Sequence, residues 1–263
     1  MVSFRHDQFQ AMLLGLVIAD AVSHGQLPPS FDRRLPGVTP AAPRAWRTAL
    51  PSDRWCHQLG ADLQTLGKGG DRPRDGECAQ PTTPADLLAQ LPQVWLIADG
   101  DRAAVEALPE SLGAAWQVSL WAALNQDQDL MTALHPVLAH RPVPLAQTLG
   151  LALEQVSQAA GNFDLAVGQS LYSAPHHQGL PLLTGVLSAA WVGVAGLPLS
   201  DCQRLKQPDA SLQAWLQQRW QITSTTTVMT WAQGLWQRWL GCLPPPVPAG
   251  SDHLAVQGAG HNR

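Results

Sequence analysis

An all-α fold is what the sequence predicts, and three observations carry that prediction. Beyond residue 102 the apolar residues recur consistently at three- and four-residue spacing, the period of a helix. Start and stop signals punctuate those clusters, such as Thr83-Pro84 ahead of one and Gly161 behind another. Gly185, Ala189 and Gly193 repeat every four residues inside an apolar run. On a helix that spacing leaves one nearly bare face, which a second helix can approach closely.

Taken in order, 7–22 reads as the first helix, with Phe9, Leu13, Leu16, Val17 and Asp20 at helical spacing. The lone carboxylate of Asp20 shares the apolar face, so it needs an arginine, backbone donors or a metal as partner. Residues 25–82 are dense in Pro, Gly and Arg, with one short helix expected over Ser52–Leu66, capped by Ser52. Gly67-Lys68-Gly69-Gly70 lacks the order of a phosphate loop. A helix is expected from Thr83 to about Leu91. Gln93–Ala98 fits a buried strand or part of a helix; as a strand it would open a βα unit and an α/β alternative. Further helices are expected over Arg102–Leu108, Ser111–Leu124, Asp127–Ala139, Pro144–Ala160, Asn162–Tyr172, Leu180–Gly196, Asp209–Gln221 and Ser224–Leu240. Pro144–Ala160 should bury Leu145, Leu149, Leu153 and Val156 and stop at Gly161. The last helix carries Val228, Trp231, Leu235 and Trp239, a stripe suited to core or to a subunit interface. The expected organisation is one helical domain over 1–242 and a mobile Pro/Gly-rich tail over 243–263.

With 263 residues the chain is long enough to bury a full core. Charged residues make up 14%, against roughly 25% in ordinary globular proteins, which favours extensive burial and a shared surface. The net charge of −4 argues against general nucleic-acid binding, although eight of the sixteen Lys and Arg lie between Arg33 and Arg74. Cys56, Cys78, Cys202 and Cys242 have no zinc-like spacing and read as free thiols of a reducing compartment. Ala11–Ala19 is too short, and its approach too acidic and polar, for a signal peptide. No apolar window reaches the roughly 18 to 20 residues of a membrane span. A cytoplasmic location is expected.

Three separated segments together resemble the ADP-ribosylglycohydrolase family. The stretch Phe9-Gln10-Ala11-Met12-Leu13-Leu14-Gly15-Leu16-Val17-Ile18-Ala19-Asp20-Ala21 is similar to that family's opening helix, R-F-x-G-x-L-L-G-x-A-x-G-D-A-L-G, with Asp20 on its GDA aspartate. Leu50-Pro51-Ser52-Asp53-Arg54-Trp55 sits roughly where the family carries a T-D-D-T metal motif. Asp164–Pro198 resembles the closing segment, in which GGDTDT leads into a small-residue helix and a G-x-x-x-I-P turn; Thr184–Trp191 and Gly193–Pro198 match that helix and turn. The resemblance implies a compact multi-helix bundle with a central cleft. There two magnesium ions orient ADP-ribose and an attacking water, releasing ADP-ribose from modified side chains.

The residues needed for that chemistry are mostly missing. Magnesium is a hard cation that takes oxygen ligands. The first motif here reads Ser52-Asp53-Arg54-Trp55, so a guanidinium replaces the second carboxylate. A fixed cation beside a divalent ion costs several kcal/mol at close range. Arg54 could instead pair with Asp53 or Asp20. The second motif aligns with His176-His177-Gln178-Gly179, and no carboxylate lies between Asp164 and Asp201. Asp20, Ser52 and Asp53 are too few for two magnesium ions, so no metal or other cofactor is expected. The vestigial cleft would hold Asp20, Ser52, Asp53, Arg54, His176, His177 and Gln178. His176 and His177 with Asp53 offer a mononuclear transition-metal alternative, against which stands a plain helix-capping or surface pair. The function expected is a non-catalytic binding, scaffold or regulatory module holding a nucleotide-like ligand or a protein partner. The Trp-rich C-terminal helices and low charge favour the protein partner, and self-association is a further option. The enzymatic alternative is an ADP-ribosyl hydrolase rebuilt around Asp20, Asp53 and His176. An unrelated scaffold with similar small-residue packing is the third reading.

Overall fold

The structure, a computed structural model, describes residues 6–27, 81, 86–87, 111–173, 177 and 179–239, leaving aside the side chains of Leu235, Arg238 and Trp239. The expected helices over Ser52–Leu66 and Arg102–Leu108, the ambiguous Gln93–Ala98 and the 243–263 tail lie outside the described residues. Of the expected Thr83–Leu91 helix, Asp86 and Leu87 are described; both are helical, and Leu87 is buried.

The described residues are all-helical, without a strand. In chain order they form α1 (His6–Ser23), α2 (Leu112–Leu124), α3 (Gln128–Ala139), α4 (Pro144–Ala159), α5 (Phe163–Ser173), α6 (Leu180–Val192), a 3-10 turn (Val194–Gly196), α7 (Leu199–Lys206), α8 (Ala210–Trp220) and α9 (Thr225–Trp239). Side-chain caps fix several starts. Ser111 Oγ accepts from the amide of Ala114, Asp127 Oδ1 from that of Leu130, Asn162 Oδ1 from that of Leu165, and Asp209 Oδ1 from that of Leu212.

Two helices form the centre. From Ala11 to Ser23 every residue of α1 is buried, and so is every residue of α6 from Leu180 to Ala190. A helix apolar on all sides must be covered on all sides. The expected one-sided stripe on α1 is therefore only part of its buried surface. α6 packs along α1, α9 and α7 cover α1 elsewhere, and α2, α4 and α5 cover α6.

The α1–α6 contact is made by small residues on both partners. A Cβ at Gly185 would lie 2.5 Å from Ala19 Cβ and 2.9 Å from the Gly15 carbonyl oxygen. A Cβ at Gly15 would lie 2.8 Å from the Gly185 carbonyl oxygen and closer still to Ala189 Cβ. Gly15 thus faces Ala189 while Ala19 faces Gly185, so the helices run antiparallel. The bare face predicted on α6 is real, and α1 carries its mate.

Gly193, expected to continue that face, does something else. It caps α6 with φ +68°, a conformation open to glycine, and the helix stops at Val192. α4 also stops a residue early: Ala160 itself is left-handed, at φ 47°, ahead of Gly161 at φ 82°. α7 was not among the expected helices.

Glutamines close the ends of the central helices. Gln8 Nε2 donates to the carbonyls of Leu124 (2.8 Å) and Ala190 (3.2 Å), near the C-termini of α2 and α6. Gln126 Nε2 donates to the Trp191 carbonyl at 2.7 Å. Gln8 is therefore structural, which its polar character alone did not reveal.

Gly185→Ala should cost about 1–3 kcal/mol, because the added methyl meets backbone and a helical Cβ that cannot swing away. Urea unfolding followed by tryptophan fluorescence measures it. A loss below about 0.5 kcal/mol, the range of an indifferent surface change, would mean the seam is not tight.

Candidate functional site

Asp20 lies in the last turn of α1 and is completely buried. The helix disfavours a carboxylate there, because its C-terminal end carries partial negative charge. The compensation comes from the last turn of α8. Arg219 Nε donates to Asp20 Oδ2 at 2.6 Å and Arg219 Nη2 to Oδ1 at 2.9 Å, a bidentate pair. Trp220 Nε1 donates to Oδ2 at 2.9 Å. His24, one turn on from Asp20, brings Nδ1 to 2.9 Å from the Asp20 carbonyl oxygen and to 3.3 Å from Oδ1. A carbonyl can only accept, so the His24 proton sits on Nδ1. The ring of His24 leans on Trp215, centroids 5.8 Å apart.

Burial alone pushes the Asp20 carboxyl up. Hydrogen bonds from His24 and Arg219 and the charges of both outweigh it, and the net result holds Asp20 below the ordinary carboxylate value. Arg219 is equally enclosed, 3% exposed, so each charge is paid for by the other.

This arrangement does not suit Asp20 to a divalent cation. A guanidinium already spans both carboxylate oxygens, and a metal would have to displace it into an apolar core. Among the described residues no three His, Cys, Asp or Glu side chains come together as a metal site. Among the described residues, the cation beside Asp20 is Arg219; Arg54, which the sequence offers to Asp53 or Asp20, lies outside them. Ser52, Asp53, Arg54, His176 and Gln178 lie outside the described residues. The signal for Arg219 was present: with Leu212, Leu216 and Trp220 it falls on the buried face of α8, a lone cation on an apolar stripe.

His177 belongs to a different place. Its backbone carbonyl accepts from Leu180, and Gly179, left-handed at φ 79°, is the residue that caps α6. The His177 side chain points instead toward α4, with Nδ1 3.4 Å from Thr148 Oγ1. It edges an open groove of about 360 Å³ between α3 and α4, lined also by His135, Ala139, Gln147, Leu151 and Glu154. Across that groove His135 Nε2 stands 3.5 Å from Glu154 Oε2. Of the residues that the resemblance put in one cleft, Asp20 and His177 are therefore the described ones: Asp20 is held in a buried ion pair, and His177 edges the α3–α4 groove.

The chain matches no protein-family profile, no curated protein and no solved structure. Among the described residues no helix is long and apolar enough to cross a membrane.

Removing one member of the buried pair should be severe: Arg219→Met leaves Asp20 stranded and is expected to cost about 3–5 kcal/mol. Adding Asp20→Leu to it should recover most of that loss in the same denaturation experiment. The pH dependence follows from the lowered pKa. Asp20 contributes its stabilisation in full above its unfolded value of about 3.9 and loses it as pH falls through its lower folded value. The double variant should therefore show a flatter acid limb in its stability-versus-pH curve than the wild type.

Proposed function

We propose that this chain is a helical binding or regulatory module built on an ADP-ribosylglycohydrolase-like plan, without that family's metal-dependent hydrolysis. The observation that supports it is the fate of Asp20. The aspartate that the resemblance aligns with the GDA motif spends both oxygens on Arg219, Trp220 and His24. A carboxylate so engaged ties α1 to α8; a catalytic magnesium ligand keeps its oxygens open to the ion.

The surface is consistent with a protein partner. It is poor in charge, and the outer side of α8 presents Gln213, Gln217 and Gln218 in place of charged residues. Leu199 on α7 and Leu165 on α5 stand exposed. Trp220 and Trp231, by contrast, are buried, and Trp236 packs edge-on against Phe9 with centroids 5.9 Å apart. These tryptophans serve the core first.

Two measurements on the full chain decide the matter. Titration with magnesium should leave the melting temperature unchanged, and incubation with an ADP-ribosylated peptide should release no ADP-ribose. Concentration-dependent stabilisation by magnesium together with ADP-ribose release would sink this reading and establish the hydrolase rebuilt around Asp20, Asp53 and His176.

A further inference from the structure

The α3–α4 groove has a consistent polarity once its protons are placed. Gln147 Nε2 donates to the Arg141 carbonyl at 3.0 Å, which fixes the amide and leaves Oε1 as its remaining group. Among the described residues no protein donor meets that oxygen. Thr148 gives its hydroxyl proton to the Pro144 carbonyl at 2.9 Å, so it can only accept from His177 at 3.4 Å. His177 Nδ1 is then the donor in that contact. His135 directs Nε2 toward Glu154 and Gln158 Nε2 donates to Glu154 Oε1 at 3.0 Å, but among the described residues no Lys or Arg pairs with that carboxylate. Glu154 is one-third exposed and reachable.

The lining therefore offers two acceptors, a carboxylate and an amide oxygen, beside the apolar Leu151 and Ala139. Acceptors around a negative charge select a donor-rich cation, and an apolar strip accommodates a methylene stem. We propose that this groove receives a cationic side chain, lysine or arginine, presented by a peptide segment of a partner protein. The stem lies along Leu151 and Ala139, and the head reaches Glu154 and Gln147. This goes beyond the non-catalytic reading and uses none of the residues around Asp20. ADP-ribose release would overturn that reading and leave this one standing.

The test uses the full chain and carbon-edited NMR of the His135 and His177 ring protons. The probes are N-acetyl-lysine N-methylamide, the same compound acetylated on its side-chain nitrogen, and spermidine. The charged lysine probe should shift both rings in a saturable way and bind weakly, with Kd on the order of 10 mM or above, because one half-exposed ion pair contributes little. The acetylated probe should bind about threefold to fivefold more weakly. Glu154→Gln should weaken the charged probe by about threefold to fivefold, whereas Asp129→Asn, at an exposed position near the start of α3, should bind it as wild type does. Equal shifts from charged and acetylated probes, undiminished binding to Glu154→Gln, or no shift at all would each overturn the proposal. Shifts from spermidine without shifts from the lysine probe would replace the peptide with a free polyamine.

Discussion

The close approach of α1 and α6 is the constraint on which the rest of the structure depends. Gly15 and Ala19 meet Gly185 and Ala189 with no room for another methyl at either glycine. Helices that close leave no place for polar groups at the seam, and each then needs an apolar coat on its other sides. The coat is supplied by α9 and α7 on one helix and by α2, α4 and α5 on the other. A chain with only 14% charged residues is what such nesting requires, since two of its helices have almost no outward face to hold charge.

Within that apolar interior Asp20 and Arg219 add selectivity more than energy. A buried pair of this kind is often matched in stability by apolar residues of the same shape. What it contributes is a single permitted docking of α8: a shift of one turn would strand both charges. Trp220 and His24 complete the set of donors around the carboxylate, so the register is specified by direction as well as by charge.

Much of the fold was legible because the sequence states its caps and periods. The starts at Ser111, Asp127 and Asp209 and the buried stripe of α4 lie where spacing puts them. α7 was not legible: Asp201 and Leu205 are its buried residues, and two positions make no period. Gly193 misled for the opposite reason, because it completes a four-residue spacing while its backbone leaves the helix. At the site, the need of Asp20 for a partner could be read from its apolar neighbours. Arg219 likewise shows its need of a counter-charge on its own apolar stripe, but the pairing of the two, 199 residues apart, is decided by tertiary packing. The setting of His177 was hidden in the same way, since the groove it edges is made by α3 and α4.

The same sequence separation sets an order of events during synthesis. Asp20 is made 199 residues before the arginine that neutralises it, and Gln8 is made 182 residues before the Ala190 carbonyl it closes. At about 5–20 residues per second, roughly 10–40 s pass between the two halves of the central ion pair. For most of that interval, until Leu180 opens α6, α1 has an apolar surface on every side and lacks its main packing partner. Until Arg219 is made, the Asp20 carboxylate, buried in the finished fold, is without its guanidinium partner. The covering of the first helix is complete only when α9, the last described element, has followed α8.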